Sequence, residues 1–244
     1  MDNIPQLKVN EIFGPTIQGE GPSVGKPVVF LRLSTCNLAC SWCDTPYTWN
    51  WIGSNFIHQD KFDPKIEIKM MNVGDVIQKL KEIGSGCKAL VISGGEPLLQ
   101  QQSLEILMTV LKEDGWWIEV ETNGTIAPHE TFLDLIDQIN CSPKLTSSGP
   151  DNTFEKRFKP EALSKLAGSR KTHFKFVICS EQDMKEVQLL VDTFTMRSVY
   201  LMPEGRTKEE QLERSAAVSE MCMKYNFKFS PRLHIINWGT KRAV

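Results

Sequence analysis

The chain has 244 residues, 41% of them hydrophobic and 24% charged, which is enough apolar material for one buried core and excludes a disordered chain. Lys and Arg total 28 against 30 Asp and Glu, a formal charge of −2, so the basic footprint of a nucleic-acid binder is missing and no nucleic-acid partner is expected. No apolar run approaches a membrane span, and the opening MDNIPQLKVNEIFG lacks the basic and apolar regions of a secretory signal.

The expectation is therefore a cytoplasmic protein without a membrane partner, in which the seven cysteines stay reduced. In chain order, VVFLRL (28–33) predicts a buried strand and 72–83 a helix, with Val73, Val76, Ile77, Leu80 and Ile83 on one face. ALVIS (89–93) predicts a strand, 103–111 a helix and WWIEVE (116–121) a strand. A helix about 132–136 leads to a short strand near 139–142. Beyond a polar stretch at 143–160, a helix at 160–166, a strand at 172–178, a helix at 181–194, a strand at 198–203, a helix at 208–225 and a last short strand at 227–231 follow. Alternation of this kind means an α/β domain with a mostly parallel sheet and helical crossovers. One domain over 1–244 is expected, with 50–70 read as an insertion beside the cysteines. Of Trp116 and Trp117, one must face the core, because consecutive strand residues point to opposite faces. Trp49 and Trp51 flank the cysteine loop and are placed to shield it.

Chemistry in parallel α/β folds gathers at the carboxyl ends of the strands. Four polar segments fall at that edge: the cysteines after 28–33, Ser93-Gly94-Gly95-Glu96 after 89–92, Glu121-Thr122-Asn123 after 116–120 and Ser142-Pro143-Lys144 after 139–141. The cysteines read Cys36-Asn37-Leu38-Ala39-Cys40-Ser41-Trp42-Cys43. Clustered thiolates on a loop are metal-ligand chemistry. Structural zinc would need a fourth ligand such as Cys87 or His58, whereas three thiolates suit an iron–sulfur cluster with one open iron; spacing leaves both readings standing.

The C-x3-C-x2-C spacing with Trp42 before the last cysteine resembles the signature of the radical S-adenosylmethionine superfamily, and Ser93-Gly94-Gly95-Glu96-Pro97 resembles its GGEP segment. The resemblance implies a partial (β/α)6-type barrel, a [4Fe–4S] cluster on Cys36, Cys40 and Cys43, and S-adenosylmethionine on the open iron. It implies that Glu96 and the carbonyls of its segment hold the methionyl ammonium. Trp42, Cys43, Asp44, Gly94, Gly95, Glu121, Thr122, Asn123, Ser142, Pro143 and Lys144 would lie along the same cofactor.

The run Glu11-Ile12-Phe13-Gly14-Pro15-Thr16-Ile17-Gln18-Gly19-Glu20-Gly21, with Phe30 to Leu33, Cys43-Asp44-Thr45, Glu121 to Thr125 and Leu233-His234 through Trp238-Gly239, is similar to the 7-carboxy-7-deazaguanine synthase family. That family converts 6-carboxy-5,6,7,8-tetrahydropterin to 7-carboxy-7-deazaguanine with loss of ammonia, in queuosine and 7-deazapurine synthesis. The resemblance implies that Ile17, Gln18, Gly19 and Ser93 contact the pterin and that Arg32 pairs its carboxylate. It places His234, Val244 and the tail 231–244 beside the substrate. Thr45 would offer a hydroxyl to a Mg2+ ion. A flavodoxin- or ferredoxin-like reductant and a homodimer are further implied. Arg32 also stands on its own chemistry, since it alternates out of an apolar strand and a guanidinium grips a carboxylate through two bonds. Two competing readings remain at this point: an activating enzyme that makes a glycyl radical on a partner protein, and a non-catalytic zinc-binding module.

Overall fold

The computed structural model describes residues 4–244; residues 1–3, which the expected domain includes, lie outside the described residues. Among the described residues nine strands form one sheet: β1 (Gln6–Ile17), β2 (Pro27–Leu33), β3 (Lys69–Asn72), β4 (Ala89–Gly94), β5 (Trp117–Thr122), β6 (Gln138–Cys141), β7 (Thr172–Ile178), β8 (Val199–Pro203) and β9 (Lys228–Phe229). Their spatial order is β3-β1-β2-β4-β5-β6-β7-β8-β9. From β2 to β9 each neighbour is parallel, and β1 joins β2 and β3 antiparallel. The six strands β2, β4, β5, β6, β7 and β8 with their crossover helices are the predicted (β/α)6 unit, and β3 and β9 end the sheet without pairing to each other, so the barrel is partial.

The alternation within each strand explains which face is which. Leu31 and Leu33, Leu90 and Ile92, Ile118 and Val120, Phe174 and Phe176 point to the helix side and join one apolar core. The helix Val73–Gly84 covers them with Val73, Val76 and Leu80, and Gln101–Glu113 with Leu104, Leu107, Met108 and Leu111. Each fully buried aliphatic side chain of this kind is worth about 1.5–3 kcal/mol. The alternate residues face the concave interior of the barrel, and there the chain places Arg32, Glu119, Glu121, Asn140 and Lys175. One face of the sheet is thus hydrocarbon, while the other carries buried charge toward the carboxyl edge and a small apolar cluster of Val28, Ala89 and Val91 toward the amino edge.

Strands and helices from 28 to 225 fall within a few residues of expectation, and Trp116 is the core tryptophan, while Trp117 lies half-exposed beneath the Lys26 ammonium. Four elements stand out among the differences. β1 runs for 12 residues through a segment read only as a motif, because its alternation is broken by polar Asn10 and Glu11 and by register shifts. Residues 69–72, partly assigned to the insertion, form the edge strand β3, which pairs with residues 6–9. The last strand is two residues long, and 233–238, read as tail, is a short helix.

Candidate active site

A cavity of about 220 Å³ opens at the carboxyl edge of the parallel strands. Its wall brings together Ile17, Gln18 and Gly19 from the end of β1, Arg32 from β2, the three cysteines with Trp42, Asp44 and Thr45, and Ser93 to Gly95 at the end of β4. Glu121 to Asn123, Ser142, Lys144, His234 and Val244 complete it. Residues separated by more than 200 positions meet here because every loop on this edge faces the same interior.

The cysteine loop is clamped from both sides. Asn152 takes the Ala39 amide on Oδ1 (2.7 Å) and donates from Nδ2 to Cys40 Sγ (3.3 Å), and the Ser41 amide donates to the Ser148 carbonyl (2.9 Å). On the other side Trp49, itself buried, donates its indole N–H to Cys43 Sγ (3.3 Å). The Leu38 amide reaches Cys36 Sγ at 3.5 Å. Burial pushes all three thiols upward, Cys40 to about 12, so as free thiols they stay protonated. Bound to iron they would be thiolates, and the three N–H donors already aimed at sulfur are the partners such ligands use. The cavity wall therefore fits a cluster. The alternative fourth ligands for zinc are placed elsewhere: His58 spends Nε2 on the Cys43 carbonyl (2.9 Å), and Cys87 lies against the Pro27 carbonyl (3.4 Å) at the opposite end of β2.

The segment after β4 passes so close to the cysteine loop that only glycine fits. A Cβ at Gly95 would lie 1.9 Å from the Thr35 carbonyl oxygen. Glu96 is fully buried and accepts from the Leu98 amide (3.0 Å), the Thr122 hydroxyl (2.8 Å) and the Asn123 amide (2.7 Å). Its carboxylate ties β4 to β5 behind the wall, and neither it nor Pro143 lines the cavity. Positions 93–95 are what this segment presents to the cavity, with Lys144 opposite, 5.6 Å over the Trp42 ring.

Arg32 is held through Nε by Glu11 (2.7 Å), which also takes the Tyr47 hydroxyl (3.3 Å). Among the described residues its two terminal nitrogens have no hydrogen-bond partner, and the fork faces the cavity. That geometry suits a carboxylate from a ligand. Gly19 is fixed by packing: its carbonyl accepts from the Leu233 amide (2.9 Å), and a Cβ there would meet His234 Nδ1 at 2.4 Å.

Below the cavity lies a charged floor that sequence reasoning missed. Lys175, with no exposed surface, donates to Glu20 (2.9 Å) and Glu121 (2.5 Å). Arg232 bridges Glu20 (3.0 Å) and Asp44 (2.5 Å) and donates to the Gly205 carbonyl (3.0 Å). Burial alone would raise the Glu20 and Asp44 carboxyls, but the cations outweigh it and hold both far below the usual carboxylate range. Deeper still, Glu119 accepts from Gln18, Ser23 (2.5 Å), Gln138 (2.9 Å) and Asn140 (2.6 Å), and burial together with nearby Glu121 pushes it up to about 8. Gln18 bonds both Glu119 and Glu121 (3.0 Å to the latter), so its amide is locked in one orientation. A signal was available in Lys175, a lone charge inside THFKFVI; Arg232 carries none.

Three thiols on the loop after the first strand of an open six-stranded parallel barrel, with a glycine segment pressed against them, define a radical S-adenosylmethionine protein, and residues 32–178 match the Radical SAM superfamily model. Full-length relatives narrow this. The chain is 33% identical to the 7-carboxy-7-deazaguanine synthase of Pyrobaculum aerophilum with both chains covered completely, and 30% identical to that of Bacillus subtilis with 98% of each covered. The crystal structure of QueE from Escherichia coli superimposes with a TM-score of 0.70 at 25% identity, covering 94% of this chain and 95% of that one. Streptococcus suis SuiB shares the fold alone, with a TM-score of 0.55 at 13% identity over 86% of this chain and 50% of its own. The chain belongs to the 7-carboxy-7-deazaguanine synthase family. Gln18, Gly19, Arg232 and His234 lie outside the segment 32–178 matched by the superfamily model.

Proposed function

We infer that this enzyme contracts the ring of 6-carboxy-5,6,7,8-tetrahydropterin to give 7-carboxy-7-deazaguanine and ammonia, a step of queuosine and 7-deazapurine synthesis. The observation that carries the reading is the open Arg32 fork in the same cavity as the three thiols. Cys36, Cys40 and Cys43 would hold a [4Fe–4S] cluster, which with S-adenosylmethionine would supply the one-electron chemistry that removes hydrogen from the substrate.

The protein's own part is placement. Arg32 fixes the carboxylate end of the pterin, and the Gln18 amide, locked through Nε2 by Glu119 and Glu121 and through Oε1 by the Glu20 amide (3.2 Å), presents its edge and the Gly19 backbone to the ring. Ser93 stands beside Arg32, its partner in the β2–β4 register. Lys144, Ser142 and Asn123 flank the position of the sulfonium cofactor, and Lys144 Nζ is steadied by the Ser142 hydroxyl (2.8 Å). His234 and Val244 line the far side.

Thr45 lines the cavity with its hydroxyl 3.6 Å from Cys43 Sγ, and Asp44 beside it is spent on Arg232. It offers one neutral oxygen, which suits a Mg2+ ion that takes its remaining ligands from substrate and water. The insertion, with Trp49, Phe56 and His58 stacked edge to face, shields the cluster loop. A one-electron protein reductant, a homodimer, one domain over 1–244 with the tail 231–244 at the substrate, and a cytoplasmic location complete the proposal; no helix of the described residues is long and apolar enough to cross a membrane.

The deciding experiment is anaerobic incubation of reconstituted enzyme with carboxypterin, reductant and S-adenosylmethionine. The deazaguanine and ammonia should appear in equal amounts. Cleavage of S-adenosylmethionine with the pterin recovered intact would refute the assignment. A glycyl-radical activase would instead require a protein substrate, and this cavity, closed by residues 239–244, has the size of a small molecule.

A further inference from the structure

Segment 239–244 lies across the cavity without joining the sheet. Among the described residues its backbone hydrogen bonds run to the preceding helix only, Gly239 N to the Ile235 carbonyl (2.9 Å) and Lys241 N to the Trp238 carbonyl (3.3 Å). One side chain ties it to the opposite wall. Arg242 donates from Nη1 and Nη2 to the two carboxylate oxygens of Glu67 (3.0 and 2.8 Å) and from Nη2 to Asn10 Oδ1 (3.0 Å). Its guanidinium lies 3.8 Å over the Tyr47 ring, and its Nε is 3.7 Å from Glu11 Oε2. The other oxygen of that same Glu11 carboxylate holds Arg32 Nε.

We propose that Arg242 is a positioning residue for the pterin: it pins segment 239–244 over the cavity and, by sharing Glu11, keeps the Arg32 fork free to take the substrate carboxylate. The inference rests on the reading of the cavity as the carboxypterin site.

The physical case has two parts. Glu67 is the last residue of the one-turn helix Pro64–Glu67, its side chain is 9% exposed, and it is further held by Asn10 Nδ2 (2.8 Å). A bidentate guanidinium–carboxylate pair on so fixed a partner has little rotamer entropy left to lose, unlike a pair between two mobile surface chains. The second part is charge. Glu67, Arg242, Glu11 and Arg32 alternate in sign along one chain of contacts, and the four groups sum to zero. An incoming carboxylate then meets an Arg32 whose counterion is shared with a second cation. Without Arg242 the Glu11 carboxylate belongs to Arg32 alone, the group of four becomes net negative, and the substrate carboxylate is opposed. Retention of the tail and affinity for the carboxylate thus depend on one residue. The arrangement also gives the far end of the insertion a task, since Glu67 is the anchor against which the segment closes.

The test uses full-length, anaerobically reconstituted protein, with iron content as the control for an intact fold. Arg242→Gln should raise KM for carboxypterin about tenfold or more, the scale of a lost charge-assisted pair, with a smaller change in kcat. Hydrogen exchange of the peptide covering 239–244, measured without substrate, should become faster in the same variant. Arg242→Lys should fall between, keeping charge but not the bidentate geometry. Glu67→Gln should speed exchange in the same way, and exchange in the double variant should be no faster than in Arg242→Gln, because both remove one interaction. If Arg242→Gln loses iron, KM in Arg242→Lys and exchange in Glu67→Gln decide together. Unchanged exchange in 239–244, or faster exchange with KM within about twofold of wild type, would overturn the proposal. Failure of the wild-type enzyme to bind carboxypterin would instead overturn the reading of the cavity, and the exchange experiment would still report whether the latch exists.

Discussion

Replacing Lys175 with Met tests the charged floor directly. The ammonium has no exposed surface and joins Glu20 and Glu121, whose side chains are 15% and 20% exposed. Removing one partner of a buried ion pair costs about 3–5 kcal/mol, because the other charge is left without compensation. Here Glu20 keeps Arg232, but Glu121 loses its cation, and both carboxylates border a cavity that water can reach, so the lower end, about 3 kcal/mol, applies. For a domain of this size each kcal/mol moves Tm by about 2–4 °C, which gives a drop of about 6–12 °C. The assay is thermal unfolding by circular dichroism at pH 7, with Lys224→Ala as reference. Lys224 pairs with Glu181 on the surface, both more than half exposed, and no resolvable shift is expected there. A Tm for Lys175→Met within about 2 °C of wild type, below the smallest shift the lost pair allows, would show that the floor is solvated in solution and that Lys175 does not hold the two carboxylates as a buried cation.

Anaerobic protein should carry about four irons per chain, lost in Cys36→Ala, Cys40→Ala or Cys43→Ala and kept in Cys222→Ala, whose thiol lies in the apolar core; zinc in place of iron by metal analysis would contradict this. Arg32→Ala should weaken carboxypterin binding by about 1.5–3 kcal/mol in calorimetry while iron is retained, and unchanged affinity would remove Arg32 from the site. Added Mg2+ should stimulate turnover of wild type but not of Thr45→Val, and full turnover after exhaustive chelation would return Thr45 to the role of a loop residue. Glu119, pushed up to about 8 in the fold, binds a proton that the unfolded chain releases above about 4.5. Its contribution to stability is therefore complete below pH 4.5 and is lost as pH rises to about 8; Glu119→Gln, which stays neutral, should flatten that part of the Tm–pH curve, and parallel curves for the two proteins would show Glu119 ionised throughout.

How much could be read beforehand follows from which face of each strand carried the signal. The helix-side residues of β2, β4, β5, β7 and β8 are Leu, Val, Ile and Phe at every second position, and that period gave strands, crossovers and the active edge. The cysteine spacing and the Gly94-Gly95 pair were legible because each answers a local demand, three ligands on one loop and an approach of 1.9 Å to the Thr35 carbonyl. Glu96 was harder to read for the opposite reason. Its position beside the motif suggests a ligand, but whether a carboxylate turns to the cavity or to the Thr122 hydroxyl and the Asn123 amide depends on a strand 26 residues away.

The floor was illegible for a related physical reason. A buried charge is affordable only with partners, and the partners of Lys175 come from positions 20 and 121, those of Arg232 from 20 and 44. No period or spacing connects such residues; the barrel does, by turning the inner faces of non-neighbouring strands toward one space. What the sequence does show is the anomaly each leaves behind, a Lys inside THFKFVI and a Glu at two of the three inward positions of WIEVET. In a protein that buries one face in hydrocarbon, inward charges with no local partner mark the side on which the chemistry must lie. Read as a set, Arg32 from β2, Glu119 and Glu121 from β5 and Lys175 from β7 point to this cavity without the cysteines.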